Sequence, residues 1–339
     1  MKPVTLEDIA LRLNISRSTV SKALKGRSDV SNKTREKVLS LAKELNYVPN
    51  LTAVYLRTQH TKTIGVIIPS IINQFFSKVM IGIIEEAEKH GYLVITLQSN
   101  ERFDLEKKQL QLLMEKQVDG IIISLSNQTN RFDHIDVVIQ NEIPIVMFDK
   151  INKLVNCSKV IIDDQQAAYN AVIHLIDKGY RRIAHFRGSL TPQNSIDRFL
   201  GYRKALIDNS IEFDASLVYL CDNNDDFNDG YTNAQKLLKE HPDVDAIFTI
   251  TDVIAIGILK CFNENGIKTP KDIALFGFSN WFMTSVITPS LSTVKQPDIE
   301  MGEKAVEILI DEIEKTAKKT PITHKKIVLP TSLIIRDSC

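Results

Sequence analysis

From Thr63 onward the chain alternates short apolar runs with longer amphipathic segments, and no other feature restricts its fold as severely. The apolar runs have strand length: Ile64–Ile68, Tyr92–Leu97, Gly120–Ile123 and Ile145–Phe148, then Ile161–Asp163, Ile183–Arg187, Val218–Leu220, Ala246–Thr249 and Ile273–Gly277. Between them, Ser77–Lys89, Leu105–Gln117, Gln165–Lys178 and Val253–Asn265 have helical spacing. Strands separated by helices pair in parallel, because a parallel neighbour is reached only by a crossover above or below the sheet. Two such series predict two α/β lobes, each a parallel sheet flanked by helices, with the second series opening at Ile161. Ligands of such sheets sit outside the carboxyl ends of the strands, so a cleft between the lobes would collect both sets of ends.

A chain of 339 residues exceeds one ordinary domain, and two or three folding units are expected. No apolar stretch approaches the roughly 18 residues of a membrane span, and MKPVTLEDIA lacks the apolar core of a secretory signal. The four cysteines, Cys157, Cys221, Cys261 and Cys339, are dispersed without CxxC or Cys/His spacing. That pattern predicts free thiols in a reducing, cytoplasmic setting, with no metal and no cofactor. The zero net charge hides an asymmetry. Residues 1–62 carry 12 Lys and Arg against 5 Asp and Glu, a charge of +7, and the remainder is −7. A basic head on an acidic body favours an anionic polymer at one end only.

The head breaks into three short helical patterns. Thr5 can cap the first, with Asp8 three residues on and Leu6, Ile9, Ala10 and Leu13 forming its apolar stripe. Asn14 is suited to the left-handed backbone of a sharp turn. Ser16 caps a second helix that hides Val20, Ala23 and Leu24 and presents Arg17, Ser18, Ser21 and Lys22. Ser31 caps a third, with Val38, Leu41, Ala42 and Leu45 facing the others. Two helices around a tight turn, the second bearing Arg, Ser and Lys outward, have the form of a helix-turn-helix reader. Arg17 and Lys22 can reach guanine N7 and O6, while Ser16, Thr19, Ser21 and Thr34 suit phosphate oxygens. Beyond Tyr47-Val48-Pro49, Asn50 can cap a helix of about two turns from Leu51, too short to be stable unpacked.

The run VTLEDIALRLNISRSTVSKALKGRSDVSNKTREKVLSLAKELNYVPN resembles the headpiece of the LacI/GalR repressors throughout. The resemblance implies that Arg17, Ser18 and Lys22 read bases, although Asn14 stands where the family usually has Gly. It makes the segment after Asn50 a hinge helix that folds in the operator minor groove, with Ala53 beside the groove and Leu56 wedged between base pairs. Such a wedge kinks the duplex at a cost of a few kcal/mol. Val54 and Tyr55 depart from the family's usual basic and small residues there.

The body resembles the same family's core, which is similar to type I periplasmic sugar-binding proteins, through IGVIIPSIINQFF, DRFLGYRKAL, DAIFTITDVIAIGILKCFNENGIKTPKDIALFGF and PSLSTVKQPDIEMGEKAVEIL. In that fold the chain crosses between lobes three times, here expected near Ile161, near Leu291–Thr293 and near Thr323. The implied organisation is a headpiece over 1–48, a hinge helix and linker over 49–62, and a core over 63–339. Lobe one would take about 63–161 and 293–323, lobe two about 162–292 and 324–339. Position by position, the resemblance places Asn73, Phe75, Asp149, Arg198 and Gln296 against the effector. Thr251-Asp252 stands where the family usually has Asn-Asp, and Ser279-Asn280 where it has Asp-Asp, which leaves the effector's identity open. Trp281 is either a stacking platform for a sugar or a packing residue of the hinge. Phe227 is a weaker stacking candidate, with core packing the stronger reading.

An enzyme is disfavoured: GxGxxG after the first strand, GxxxxGK[ST], HExxH and GxSxG are all missing, and the adjacent pairs Asp163-Asp164 and Asp225-Asp226 should diverge in direction. The expected protein is a cytoplasmic homodimer on pseudo-palindromic double-stranded operator DNA, repressing a carbohydrate operon until a saccharide binds between the lobes. A co-repressor sensing a nucleobase or another small metabolite is the alternative.

Overall fold

The computed structural model describes residues 4–47, 60–222 and 225–339. It divides into two compact units, Met1–Thr61 and Lys62–Cys339.

In the first unit α1 (Leu6–Leu13), α2 (Arg17–Leu24) and α3 (Asn32–Glu44) each start on a hydroxyl side chain. Thr5 and Asp8 form a reciprocal capping box: Oγ1 of Thr5 accepts from the Asp8 amide, and the Thr5 amide donates to Asp8 Oδ2 at 2.8 Å. Ser16 and Ser31 accept from the amides of Thr19 and Thr34, satisfying donors that a helix start leaves open. α1 stops at Asn14, whose φ of 52° and ψ of 47° are the left-handed turn expected of it. Ile9, Val20 and Val38, one from each helix, are fully buried, and Ala10, Ala23 and Ala42 let the helices approach closely. Residues 48–59, which carry the expected hinge with Asn50, Ala53 and Leu56, lie outside the described residues.

The second unit contains two six-stranded sheets. The first has the order β11-β5-β4-β3-β1-β2 and is parallel throughout; it uses β1 (Thr63–Ile68), β2 (Leu93–Gln98), β3 (Gly120–Ile123), β4 (Ile145–Phe148), β5 (Ser158–Ile162) and β11 (Lys326–Leu329). The second has the order β12-β10-β9-β8-β6-β7, from β6 (Ile183–Arg187), β7 (Val218–Leu220), β8 (Ala246–Thr249), β9 (Ala274–Phe278), β10 (Ser292–Lys295) and β12 (Ser332–Ile334). Only β12 runs antiparallel, against β10. The central strands β3, β4, β8 and β9 are buried at every residue, as strands covered by helices on both faces must be.

Lobe one carries α4 (Gln74–Lys89), α5 (Phe103–Glu115), α6 (Asp133–Gln140) and α11 (Asp298–Ala317); lobe two carries α7 (Asp164–Asp177), α8 (Gln193–Asp208), α9 (Asp226–Glu240) and α10 (Asp252–Asn265). Glycines let helix backbones meet. A methyl at Gly82 of α4 would stand 2.1 Å from the Ile299 carbonyl oxygen, and one at Gly302 of α11 would stand 2.2 Å from that of Val79.

The crossings fall later than expected. Ser158–Ile162 is the fifth strand of the first sheet, paired with β4 and β11, instead of the opening of the second. The chain therefore crosses at Asp163, returns at Gln296-Pro297 between β10 and α11, and crosses last at Pro330-Thr331 between β11 and β12. At the last two crossings a proline, which has no N–H to give a ladder, ends the strand.

Candidate effector cleft and DNA-reading head

The loops leaving the carboxyl ends of β1 to β4 in lobe one and β6 to β10 in lobe two enclose a cavity of about 490 Å³. Asn73, Phe75, Asp149, Arg198, Phe227, Thr251, Asp252, Ser279, Trp281 and Gln296 all line it. Asn280 does not: its Oδ1 accepts from Arg336 Nη2 at 2.8 Å and its amide donates to Thr293 Oγ1, so it braces the loop from behind. Phe227 is 37% exposed on the cavity wall, which corrects its reading as a core residue; as the second residue of α9 it sits where the helix opens into the cleft. Trp281 lines the cavity edge-on to Phe282, with ring centroids 5.8 Å apart.

Most of these side chains are held by partners within the protein. Arg198 is buried; its Nε donates to Asp164 at 2.8 Å, its Nη1 to the Ile250 carbonyl at 2.8 Å, and its guanidinium carbon lies 3.6 Å from the Phe278 ring centroid. Asp252 clamps two loops, accepting from the Trp281 amide at 2.7 Å and from Thr293 Oγ1 at 2.6 Å. Thr251 caps α10 and gives its hydroxyl to Asp226 at 2.9 Å. Asn73 caps α4 through the Phe75 amide at 3.0 Å. Gln296 donates to Ser279 Oγ at 3.0 Å. Asp149, at φ 53°, and Ser279, at φ 113°, hold a backbone that side chains rarely adopt, and strained residues of this kind concentrate where function fixes geometry.

The cleft also includes residues beyond those expected from the sequence. Lys150 Nζ donates to Glu101 Oε1 and Asn127 Oδ1, both at 2.6 Å, building the lobe-one wall. Asn194 and Asp226 also line the cavity. Asn194 precedes Arg198 by four residues, a helical spacing that could have found it; nothing comparable marks Glu101 or Asn127. The pairs Asp163-Asp164 and Asp225-Asp226 do diverge. In each, the first residue caps a helix while the second turns inward, to Arg198 or to Thr251.

Burial raises the carboxyl pKa values here. It pushes Asp164 up to about 7 in spite of the Arg198 guanidinium, and Asp252 up to about 6 against its hydrogen bonds from Thr293 and Trp281. Asp149 and Asp226 move in the same direction for the same reason, opposed by Arg198 in the first case and by Thr251 in the second.

In the head, the hydroxyls of Ser18 and Thr19 lie 2.7 and 2.8 Å from that of Ser16 at the amino end of α2. Arg17 is exposed beside them. Lys22 is held by Asp29 at 2.6 Å, and the Thr34 hydroxyl lies 2.9 Å from that of Ser31. Thr5 is occupied by its capping box, and Ser21 is half-buried on α2. Among the described residues no helix is long and apolar enough to cross a membrane, and no group of three or more His, Cys, Asp or Glu is placed to hold a metal.

A helix-turn-helix head in series with a two-lobed core enclosing a cavity defines a DNA-binding regulator with a sensor domain. The chain belongs to the LacI family of such regulators: residues 5–50 match the family "Bacterial regulatory proteins, lacI family", and residues 61–333 match "Periplasmic binding proteins and sugar binding domain of LacI family". It is 32% identical to catabolite control protein A of Priestia megaterium, over 99% of both chains. It is 31% identical to the ribose operon repressor of Haemophilus influenzae, over 98% of both. The lac repressor dimer bound to operator and the anti-inducer ONPF superposes with a TM-score of 0.86 at 27% identity, covering 99% of each chain. The regulator CelR in complex with cellobiose gives 0.75 at 26%, covering 99% of this chain and 100% of that one.

Proposed function

We propose that this protein is a cytoplasmic repressor that binds a pseudo-palindromic operator as a homodimer and releases it when a saccharide fills the cavity between its lobes. The observation that carries this is the cavity itself. It is sized for a small ligand, lined by fixed carboxylates, amides and one guanidinium, and flanked by Trp281 and Phe227, a mix suited to hydroxyl groups and the apolar faces of sugar rings. The relatives named for ribose and catabolite control, and the cellobiose complex, support a saccharide over a nucleobase.

In this reading Arg17, Ser18 and Lys22 contact base edges, while Thr5, Ser16, Thr19, Ser21 and Thr34 position the head on phosphates. Asn50, Ala53 and Leu56 belong to the hinge. In the core Asn73, Phe75, Asp149, Arg198, Phe227, Thr251, Asp252, Ser279, Trp281 and Gln296 hold the effector, with Asn280 in support. The protein binds its ligand without transforming it. Effector closure of the lobes shifts DNA affinity through a coupling of roughly 1–3 kcal/mol, or about 5–150-fold. A thermal-shift screen of mono- and disaccharides against nucleobases tests the ligand class. Stabilisation by saccharides alone is expected; stabilisation by nucleobases alone would overturn it.

A further inference from the structure

The charges around the cavity do not balance. Its cations are Lys78, Lys150 and Arg198, and each already has a carboxylate: Asp298 at 3.2 Å, Glu101 at 2.6 Å and Asp164 at 2.8 Å. Among the described residues, the lining carboxylates Asp149, Asp225, Asp226 and Asp252 have no ion-pair partner. Asp252 spends both oxygens on the Trp281 amide and Thr293, and Asp225 caps α9. Asp149 and Asp226 are different. Among the described residues each accepts one side-chain hydrogen bond, from Asn194 at 3.2 Å on Asp149 Oδ1 and from Thr251 at 2.9 Å on Asp226 Oδ2, and the other oxygen of each takes none. They come from opposite lobes, the loop after β4 and the start of α9. Asp149 is buried and Asp226 half-buried; the cations that act on them, Arg198 and Lys150, are paired with other carboxylates, and desolvation raises the pKa of both.

We infer that the effector supplies the missing cation: a saccharide bearing a protonated amine and no phosphate or carboxylate, its ammonium taken by Asp149 and Asp226. This rests on the saccharide reading above and narrows it. An anionic sugar would meet a surplus of like charge, because among the described residues every lining cation already faces a carboxylate and four lining carboxylates face none. An ammonium would be drawn in, and its charge-assisted bonds to two carboxylates from different lobes would favour the closed cleft.

The test is isothermal titration of the full-length protein with matched mono- and disaccharides in amino, hydroxyl and 6-phosphate forms, such as glucosamine, glucose and glucose 6-phosphate and the corresponding disaccharides. The amino form of the best-fitting scaffold is expected to bind at least about tenfold tighter than its hydroxyl counterpart, and the phosphate form not at all. Asp226→Asn and Asp149→Asn, which keep shape and remove charge, should each collapse the amino preference to about twofold, with melting temperatures near that of the parent. Equal affinity for amino and hydroxyl forms, tighter binding of the phosphate, or a preference untouched by either substitution overturns the inference and leaves the saccharide reading standing. Binding of no saccharide in any charge form overturns that reading and this inference with it.

Discussion

Asn194 Nδ2 donates to Asp149 Oδ1 at 3.2 Å, so the amino end of α8 in one lobe is tied to the loop after β4 in the other. Two more contacts span the same divide: the Phe282 amide donates to Gln74 Oε1 at 2.9 Å, and Lys153 pairs with Asp197 at 3.1 Å. These polar bonds supplement a buried apolar cluster that takes in residues of both lobes, Phe148 and Phe248 among them. A ligand contacting both lobes adds to these bonds, which is the physical route from binding to lobe closure.

Asn194→Ala should therefore weaken effector binding by about 2- to 10-fold, the worth of one hydrogen bond of roughly 0.5–1.5 kcal/mol. It should also raise the effector concentration needed to release operator DNA by the same factor. Parallel calorimetry and DNA titration check this; a change in one midpoint without the other would separate the bond from lobe closure.

Lys22 is engaged by Asp29, with both side chains more than half exposed. Exposed pairs are weak, so DNA should take the lysine easily. Arg17→Ala is expected to cost about 1–3 kcal/mol on operator and little on random duplex, relaxing specificity. Asp29→Asn should instead strengthen binding to both duplexes a few-fold. Fluorescence anisotropy on the two DNAs at fixed salt distinguishes the effects.

Gly82 and Gly302 allow α4 and α11 to touch backbone to backbone. Gly82→Ala forces those helices apart and should destabilise the core by about 3 kcal/mol. Gly91, at φ 70° with open space around it, is the control: Gly91→Ala should cost only about 1 kcal/mol, from backbone strain. Urea unfolding followed by circular dichroism gives both values.

His185 is buried in lobe two, stacked near Tyr202 and Phe248, with Nδ1 donating to the Phe248 carbonyl at 3.0 Å. Burial pushes its pKa down to about 3. The folded protein keeps it neutral while the unfolded chain protonates it below about pH 6.5. Its contribution to stability is complete above that pH and is lost as pH falls toward 3. His185→Phe removes the titration, so the stability difference between parent and variant should move in the variant's favour by up to about 1.4 kcal/mol per pH unit below 6. Denaturant titrations from pH 7 to 5 measure the trend; a difference independent of pH would place the ring in a hydrated setting.

Much of this architecture is legible in residue order. Thr5, Ser16 and Ser31 announce three helix starts, and Asn14 announces the turn, because capping and left-handed backbone are local properties. The apolar runs announce nearly every strand. The crossings were harder to read: Ser158–Ile162 is as apolar as a second-lobe strand, and only its pairing with β4 and β11 decides its sheet. The cleft divides along the same line. Asp149, Arg198 and Gln296 are found through resemblance, whereas Glu101 and Asn127, on loops, and Asp226, at the start of α9, reach the cavity by a course that depends on tertiary packing. Asn280 shows the converse, since its neighbours face the cavity while a bond from Arg336, 56 residues away, turns it outward.

The central claim is that cavity occupancy controls DNA binding. Its most direct test is titration of the full-length protein onto its own promoter DNA, with and without the saccharide that best stabilises it. Specific binding is expected without saccharide, with a loss of about 5–150-fold in affinity in its presence that Arg198→Ala abolishes. Operator affinity unchanged by a saccharide shown to occupy the cavity would contradict it.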